Sequence, residues 1–168
     1  MSTLSQLNDS TQSAFTATLG LIFEHSPWVA EDAWASRPFA DVGALHTAMC
    51  AVLARAPLEA KLALIRAHPE LAGKAAIRGQ LTDASSREQS GAGLNQCSPE
   101  EFAALTRLND DYRERFGFPF ILAVRGHTRA SIIANMAARV GNDRALEIAE
   151  CLVQIEHIAR FRLGDMLS

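Results

Sequence analysis

Apolar residues recur every three or four positions along most of this chain, which is the spacing of an amphipathic α-helix. Asp9 or Ser10 is a suitable N-cap for the first helix, whose apolar stripe comprises Phe15, Leu19, Ile22 and Phe23. The same period continues to the end of the chain, so the pattern predicts a helical fold.

Prolines and capping residues mark where the next helices begin. Ser26 and Pro27 form a cap and a first helical position for a short second helix, and Asp41 is suited to cap a third. Pro57 is suited to open a fourth helix. A capping side chain accepts a hydrogen bond from one of the N–H groups that the first turn of a helix leaves without a partner. Proline has no N–H that would need such a partner.

The fourth helix should end at His68, because Pro69 disfavours helical geometry in the residue before it. His68 is therefore expected at a helix C-terminus. Carbonyl groups without helical partners favour a protonated imidazole at such a position.

Residues 71–97 are the least regular part of the chain, since they hold four glycines and few large apolar residues. A stretch of this kind in a compact domain is often functional, and a short helix around 85–90 is predicted within it. Ser98, Pro99 and Glu101 then form a capping-box start for a long helix that Gly117 ends. One side of that helix carries Phe102, Leu105, Asn109, Tyr112 and Phe116.

Residues 118–124 form an apolar run that is too short for a typical helix. We interpret the run as a buried extended segment, whose backbone groups need partners other than a sheet, and a bound ligand is one option. Two helices, roughly 128–140 and 143–163, close the chain. The prediction is an all-α fold in one compact domain over residues 1–168.

Composition and charge narrow the class of protein. The chain has 168 residues, 48% of them apolar, and sixteen basic against nineteen acidic residues give a net charge of −3. Without a basic run, nucleic acid is not an expected partner. No apolar stretch is long enough for a membrane span, and we see neither a secretory nor a peroxisomal signal. With three scattered cysteines, we expect a cytoplasmic protein.

Histidine is the side chain best suited to proton transfer near neutral pH, and the chain has five. His68 stands out because it lies at a helix end beside the irregular polar stretch 71–97. The other four have ordinary structural interpretations, beside a cap, near a core stripe, in a turn or on a solvated helix face: His25, His46, His127 and His157.

Ser85, Glu88 and Gln89 are spaced so that a hydroxyl, a carboxylate and an amide point the same way from one helix. Such a face suits a small substrate rich in N–H and C=O groups. A solvated carboxylate is the simpler interpretation of Glu88, but a Glu88 that meets His68 would favour and orient the imidazolium. Arg160 and Arg162 are candidates to bind an anion, although a cation near a helix C-terminus is favourable by itself.

The chain lacks the motifs of several enzyme classes. It has no His-Glu-x-x-His or cysteine pair for a metal, and no Gly-x-Ser-x-Gly for a serine hydrolase. Gly91-Ala92-Gly93 lacks the third glycine and the preceding strand of a dinucleotide site. These observations favour acid–base chemistry without a metal or another cofactor.

Several motifs occur in order from about Leu19 to the C-terminus. They are Phe23-Glu24-His25-Ser26-Pro27-Trp28, Arg37-Pro38-Phe39, Ile65-Arg66-Ala67-His68-Pro69-Glu70-Leu71-Ala72, Ser85-x-x-Glu88-Gln89-x-Gly91-x-Gly93-Leu94, Asn109-x-x-Tyr112, Phe116-Gly117-Phe118-Pro119-Phe120-Ile121 and Ile158-Ala159-x-x-Arg162-Leu163. In these motifs the chain resembles the family of 2-oxo-4-hydroxy-4-carboxy-5-ureidoimidazoline (OHCU) decarboxylases. That family completes the oxidation of urate to (S)-allantoin.

The resemblance implies a role for each matching residue. His68 takes the place of the catalytic histidine, and Glu88 that of its carboxylate partner. The groups implied to hold the ureidoimidazoline substrate are Pro69, Ser85, Gln89, Arg162 and the Phe120–Ile121 backbone. We expect His68, Glu88 and Arg162 to converge on one small pocket. The resemblance also implies a homodimer that needs no cofactor.

The implied substrate carries a carboxylate and a hydroxyl on one ring carbon, next to a C=N bond. Loss of CO₂ pushes electrons into that bond, so the ring itself is the electron sink. Two alternatives stay open: a helical hydrolase or isomerase that acts on a related cyclic ureide, and a non-catalytic interaction module. The second alternative predicts a large exposed apolar patch and no enclosed polar pocket.

Overall fold

In the computed structural model, which describes residues 2–167, all regular secondary structure is helical. The α-helices in this range are α1 (Leu4–Asn8), α2 (Gln12–Leu19), α3 (Trp28–Ala33), α4 (Val42–Arg55), α5 (Leu58–Ala67), α6 (Lys74–Ile77), α7 (Asp83–Gly91), α8 (Pro99–Phe116), α9 (Arg129–Arg139) and α10 (Arg144–Leu167). The prediction of an all-α fold is confirmed. None of these helices is long and apolar enough to cross a membrane.

The chain divides into two compact units. The first unit comprises residues 1–67 and 155–168, and the second comprises residues 68–154. The first therefore contains α1 to α5 and the end of α10, and the second contains α6 to α9 and the beginning of α10.

The start of the first unit differs from the prediction. Asp9 is the C-cap of α1, so the next helix begins later, and the Thr11 hydroxyl accepts a hydrogen bond from the Ala14 N–H at 3.3 Å. An N-cap at Asp9 or Ser10 was therefore wrong. Helix α2 also ends at Leu19, and the last two residues of the predicted stripe are buried in the turn that follows.

The later helix starts of this unit were predicted with mixed success. Ser26 does not cap α3, because its hydroxyl donates to the Glu24 carbonyl at 2.9 Å and Pro27 occupies the N-cap position. Asp41 does cap α4, accepting a hydrogen bond from the Ala44 N–H at 2.7 Å. Helix α3 packs against α2 and α4. The core of this unit includes Phe15, Leu19, Val29, Leu45, Met49, Leu53, Ile65 and Leu163.

Helix α8 organises the second unit and has the predicted ends. Ser98 and Glu101 form a capping box around Pro99, and Gly117 ends the helix with a left-handed φ of 77°. Four of the five residues predicted for its inner side are buried, namely Leu105, Asn109, Tyr112 and Phe116. Phe102 is exposed instead, because in the first turn of α8 it borders an open cavity.

The apolar run after α8 is buried and belongs to no helix or strand, as predicted. Its aromatic rings surround Tyr112, with centroid distances of 6.0 Å to Phe118 and 5.4 Å to Phe120. Edge-to-face contacts of this kind fix the segment beside α8.

Candidate active site

His68 is the first residue after α5, and its side chain is buried. The predicted position at the end of a helix is thus confirmed. Pro69 follows half-buried, and the chain then turns through residues 70–73 before α6 begins. The path of this turn decides where the imidazole is held.

The turn after His68 is fixed by the side-chain amide of Gln89 on α7. Gln89 Oε1 accepts a hydrogen bond from the Ala72 N–H at 2.9 Å, and Nε2 donates to the Glu70 carbonyl at 3.2 Å. Ala72 has a φ of +50°, in the left-handed region that a residue with a Cβ rarely adopts. A strained residue of this kind is held in place by its surroundings.

Helix α8 contributes a second attachment to the same turn. Asn109 Nδ2 donates to the Leu71 carbonyl at 2.9 Å, and Arg113 forms an ion pair with the Glu70 carboxylate. Side chains from two helices therefore hold three consecutive residues, Glu70 to Ala72, immediately after the His68-Pro69 pair. We call residues 70–72, with these attachments, the clamped turn.

Helix α7 presents one buried polar face. The Thr82 hydroxyl caps it by accepting from the Ser85 N–H at 3.3 Å, and Ser85 and Gln89 are both buried while Glu88 is half-buried. Because Gln89 is bonded to the clamped turn, α7 lies against the chain just beyond His68. Glu88 and Ser85 are within one turn of Gln89 on that helix.

The backbone of the 118–124 segment finds partners in side chains. Arg139 Nη1 donates to the Ile121 carbonyl at 2.7 Å, and Gln154 Oε1 accepts from the Ala123 N–H at 3.0 Å. The Arg139 guanidinium also lies 4.3 Å from the centre of the Phe120 ring. The sequence analysis did not identify the partners of these backbone groups, and side chains of α9 and α10 supply two of them.

Arg139 belongs to a buried polar cluster that the sequence analysis missed. The Glu147 carboxylate accepts hydrogen bonds from Tyr112 Oη at 2.6 Å, Arg139 Nε at 2.9 Å and Asn142 Nδ2 at 3.0 Å. The Cys151 thiol lies 3.4 Å from Tyr112 Oη and 3.6 Å from Arg139 Nη2. We call Tyr112, Arg139, Asn142, Glu147 and Cys151 the buried ionic cluster.

Burial sets the protonation of two members of the buried ionic cluster. Burial, before any charge effect, raises the pKa of the Tyr112 phenol far above its usual range. It also raises the pKa of the Cys151 thiol, although hydrogen bonding to Tyr112, the Arg139 charge and the Ile121 N–H act in the opposite direction. Tyr112 is therefore a neutral donor to the Glu147 carboxylate.

No local sequence signal indicated this cluster. Arg139 lies in the last turn of α9 and Glu147 in the first turn of α10. A cation and an anion are favourable at those ends of any helix, so both residues looked ordinary. Only the tertiary fold reveals that both side chains are buried.

Arg162 lies in the first unit, where it pairs with a carboxylate. Its Nη1 donates to Glu24 Oε2 at 2.8 Å, and both residues are buried. Glu24 was part of a motif quoted above but was assigned no role. Arg160, the other candidate anion ligand, is exposed.

The remaining histidines of interest have other partners. His46 Nε2 lies 2.8 Å from the Glu156 carbonyl and 3.4 Å from the Cys50 thiol. Burial, with a smaller contribution from the Glu156 charge, raises the pKa of Cys50 to about 12. His127 Nδ1 lies 3.0 Å from the Ser131 hydroxyl at the start of α9. These contacts agree with structural roles.

The second unit also contains a cavity of about 540 Å³ beside α7. Its wall includes Ala72 and Gln89, together with Leu94, Cys97 and Phe102. Burial raises the pKa of the Cys97 thiol. Within residues 2–167, no three His, Cys, Asp or Glu side chains are grouped as metal ligands would be.

Comparison with known proteins adds the following findings. A family model described as OHCU decarboxylase matches residues 8–164. A 2-oxo-4-hydroxy-4-carboxy-5-ureidoimidazoline decarboxylase of Haloferax volcanii is 42% identical over 166 residues, which are 99% of this chain and 96% of that protein. The uric acid degradation bifunctional protein PucL of Bacillus subtilis is also 42% identical, over 100% of this chain but only 33% of its own length.

Two crystal structures are similar in fold. An (S)-allantoin synthase superposes with a TM-score of 0.76 at 31% identity, covering 99% of this chain and 54% of that one. An OHCU decarboxylase crystallised in the presence of (S)-allantoin superposes with a TM-score of 0.69 over 83% of this chain and 89% of its own. At 20% identity, the second similarity concerns the fold alone.

Proposed function

The chain belongs to the OHCU decarboxylase family, and on that premise we propose that it converts OHCU to (S)-allantoin with His68 and Glu88 as its proton-transfer pair. The protein is thus a carboxy-lyase, a carbon–carbon lyase of urate degradation. The reaction class comes from the family, the roles of His68 and Glu88 are those that the resemblance implies, and the geometry of the second unit supports them.

The observation that carries the proposal is the attachment of α7 to the clamped turn. Gln89 bonds to Glu70 and Ala72 at 3.2 and 2.9 Å, and these residues follow directly on the His68-Pro69 pair. Because Glu88 is adjacent to Gln89, the Gln89 hydrogen bonds attach α7, which carries the Glu88 carboxylate, to the turn that follows His68. A pair held by buried, hydrogen-bonded backbone is pre-organised for proton transfer.

The proposed reaction breaks the bond between the ring carbon and its carboxylate. CO₂ leaves, and the bonding electrons flow into the adjacent C=N bond of the ring. His68, oriented by Glu88, delivers a proton to one face of the ring, which fixes the handedness of the product. The ring accepts the electrons itself, so the proposed reaction requires no cofactor.

The residues proposed to hold the substrate have fitting chemistry. Ser85 and Gln89 offer buried polar groups on α7, and we propose that Pro69 and the buried Phe120–Ile121 backbone also contact the substrate, as the family resemblance implies. We propose Arg162 as the ligand of the substrate's anionic group, because a guanidinium binds a carboxylate through two parallel hydrogen bonds. The Glu24 carboxylate, 2.8 Å from Arg162 Nη1, would hold that guanidinium in one orientation.

The test uses freshly generated OHCU, which decays slowly to racemic allantoin without an enzyme. The wild-type chain should accelerate the decay and give an optical signal of (S)-allantoin by circular dichroism. His68→Asn should reduce the rate by at least about 10²-fold, the usual range for loss of a general acid or base. His127→Asn, the same change at a histidine whose Nδ1 lies 3.0 Å from the Ser131 hydroxyl, is the control and should keep wild-type activity.

Two results would contradict the proposal. A His68→Asn variant that forms (S)-allantoin at the wild-type rate would remove His68 from the mechanism. A wild-type chain that does not accelerate the decay of OHCU but acts on another cyclic ureide would favour a related hydrolase or isomerase.

We also propose that the chain is a cytoplasmic homodimer, as the family resemblance implies. Light scattering should give twice the 18.2 kDa of one chain, and a value of 18.2 kDa would contradict the dimer. Cell fractionation of the source organism tests the location.

We further propose that residues 1–168 form a single domain, since the family match runs through both compact units. Both tryptophans, Trp28 and Trp34, lie in the first unit, so their fluorescence reports on that unit alone. Urea unfolding followed by tryptophan fluorescence and by far-ultraviolet circular dichroism should give coincident transitions. Separate midpoints would show two domains.

A further inference from the structure

The buried ionic cluster lies against the Phe120–Ile121 peptide, yet nothing in the proposed reaction uses it. Arg139 Nη1 donates to the Ile121 carbonyl at 2.7 Å, and its guanidinium lies over the Phe120 ring at 4.3 Å. One side chain thus contacts both residues of the peptide. The other end of the same guanidinium is tied to Glu147 by a 2.9 Å hydrogen bond from Nε.

Stability is a weak explanation for a charge pair at this depth. Glu147 is 0% exposed and Arg139 is 7% exposed. Removing two charges from water costs about as much as their attraction returns, so apolar residues of similar size commonly serve a core equally well. A buried charge pair whose N–H donors point in fixed directions is better explained by the way it fixes the position of the groups that it contacts.

The buried ionic cluster contacts both backbone groups of Ile121, and these two groups belong to consecutive peptides. The Ile121 N–H is close enough to the Cys151 thiol to affect its pKa, and the Ile121 carbonyl is held by Arg139. In a planar trans peptide, the N–H and the C=O point in opposite directions. Because the Ile121 N–H faces the buried ionic cluster, the Phe120 carbonyl of the same peptide points away from the cluster.

We propose that Arg139, held by Glu147, is a positioning residue that fixes the Ile121 backbone and thereby orients the Phe120 carbonyl to accept an N–H of the ureide substrate. The inference rests on the proposed function. To that function it adds the Phe120 carbonyl oxygen as a substrate contact and Arg139 as the residue that orients it. Arg139 itself touches no substrate. It acts by holding the Ile121 carbonyl, and Glu147, which itself accepts hydrogen bonds from Tyr112 and Asn142, holds the guanidinium there.

The main test removes both charges together, because a lone buried Glu147 would be strongly destabilising. In Arg139→Met/Glu147→Leu, the Ile121 carbonyl loses its donor and no unpaired charge of this ion pair stays buried. We expect KM for OHCU to rise about tenfold, the effect of one misplaced hydrogen bond, with kcat changed less than about threefold. The enantiomeric excess of the allantoin should fall as well.

Two further variants make the result specific. Gln154→Met removes the 3.0 Å hydrogen bond to the Ala123 N–H, two residues along the same segment, and should leave KM within about twofold of wild type. Arg139→Lys keeps a charge for Glu147 but loses the planar fork that serves Ile121 and Phe120 together. Arg139→Lys should raise KM about threefold, and this variant tests the positioning role of Arg139 if the double variant does not fold.

The outcomes separate this inference from the proposed function. A wild-type chain that neither accelerates the decay of OHCU nor gives an excess of (S)-allantoin contradicts the function itself. An active wild type contradicts the inference alone if the folded double variant keeps KM and enantiomeric excess within twofold, or if Arg139→Lys matches wild type in both. An equal rise of KM in Gln154→Met would also overturn it, since any loosening of the segment would then suffice.

Discussion

The clamped turn after His68 gives the sharpest prediction about stability. Asn109 is buried on α8, and its Nδ2 donates to the Leu71 carbonyl at 2.9 Å. Asn109→Leu removes this donor with little change in volume. The Leu71 carbonyl, in a residue that is itself buried, is then left without that hydrogen bond.

The magnitude follows from two opposing contributions. Leaving a buried carbonyl without its donor costs about 1–3 kcal/mol of unfolding free energy. Asn109 Oδ1 is buried without a partner among residues 2–167, so replacing it by an apolar group returns part of that cost. We expect a net loss of about 1–2 kcal/mol and a Tm lower by about 2–4 °C for each kcal/mol.

A matched control isolates the hydrogen bond. Asn135, on α9 in the same unit, also has a buried Oδ1 without a partner in the described part of the chain, but its side chain holds no turn. Asn135→Leu should therefore leave Tm unchanged or raise it. The difference between the two variants, measured by thermal and urea unfolding, is the contribution of the Leu71 hydrogen bond.

Asn109→Leu should also lower kcat/KM, because the clamped turn positions His68 and a small displacement of a catalytic group is costly. The reasoning is refuted if Asn109→Leu is as stable as Asn135→Leu and keeps wild-type kinetics. In that case the clamped turn would not depend on α8.

Three further predictions concern other parts of the chain. Gly117→Ala should lower the unfolding free energy by about 1 kcal/mol in urea titrations, because φ is 77° while the space around a Cβ is open; an unchanged midpoint would contradict this. The Ser98 N–H and then Arg129 hold the pKa of Glu101 below its ordinary value of 4.5, so the stabilisation exists above that pH and is lost as pH falls below it. The stability difference between wild type and Glu101→Gln should therefore shrink below pH 4.5 in acid titrations, and a constant difference would oppose the assignment. Cys50, with a pKa of about 12, should react with iodoacetamide at pH 8 about 10³-fold more slowly than free cysteine, as mass spectrometry of the alkylated peptide would show.

Helix ends were predictable where the signal is local. Asp41, the Ser98–Glu101 capping box and Gly117 each act within four residues of themselves, so sequence alone identified them. Thr11 was missed because α1, only five residues long, occupies the preceding stretch and displaces the start of α2. A helix this short has almost no periodicity to detect.

The site was predictable only in part, for a similar reason. His68 at a helix end and the buried polar face of α7 follow from spacing within one element. The hydrogen bonds from Gln89 to the clamped turn and from Arg139 to Ile121 join residues 17 and 18 positions apart. No local pattern specifies such contacts, because they depend on how separate helices pack.

The central claim is that His68 and Glu88 act as one unit. Steady-state kcat/KM for (S)-allantoin formation in wild type, His68→Asn, Glu88→Gln and the double variant tests it directly. The account predicts that the double variant is no slower than the slower single variant, because removing either partner already disables the pair. Losses that multiply in the double variant would show that the two residues work independently, and would contradict the account.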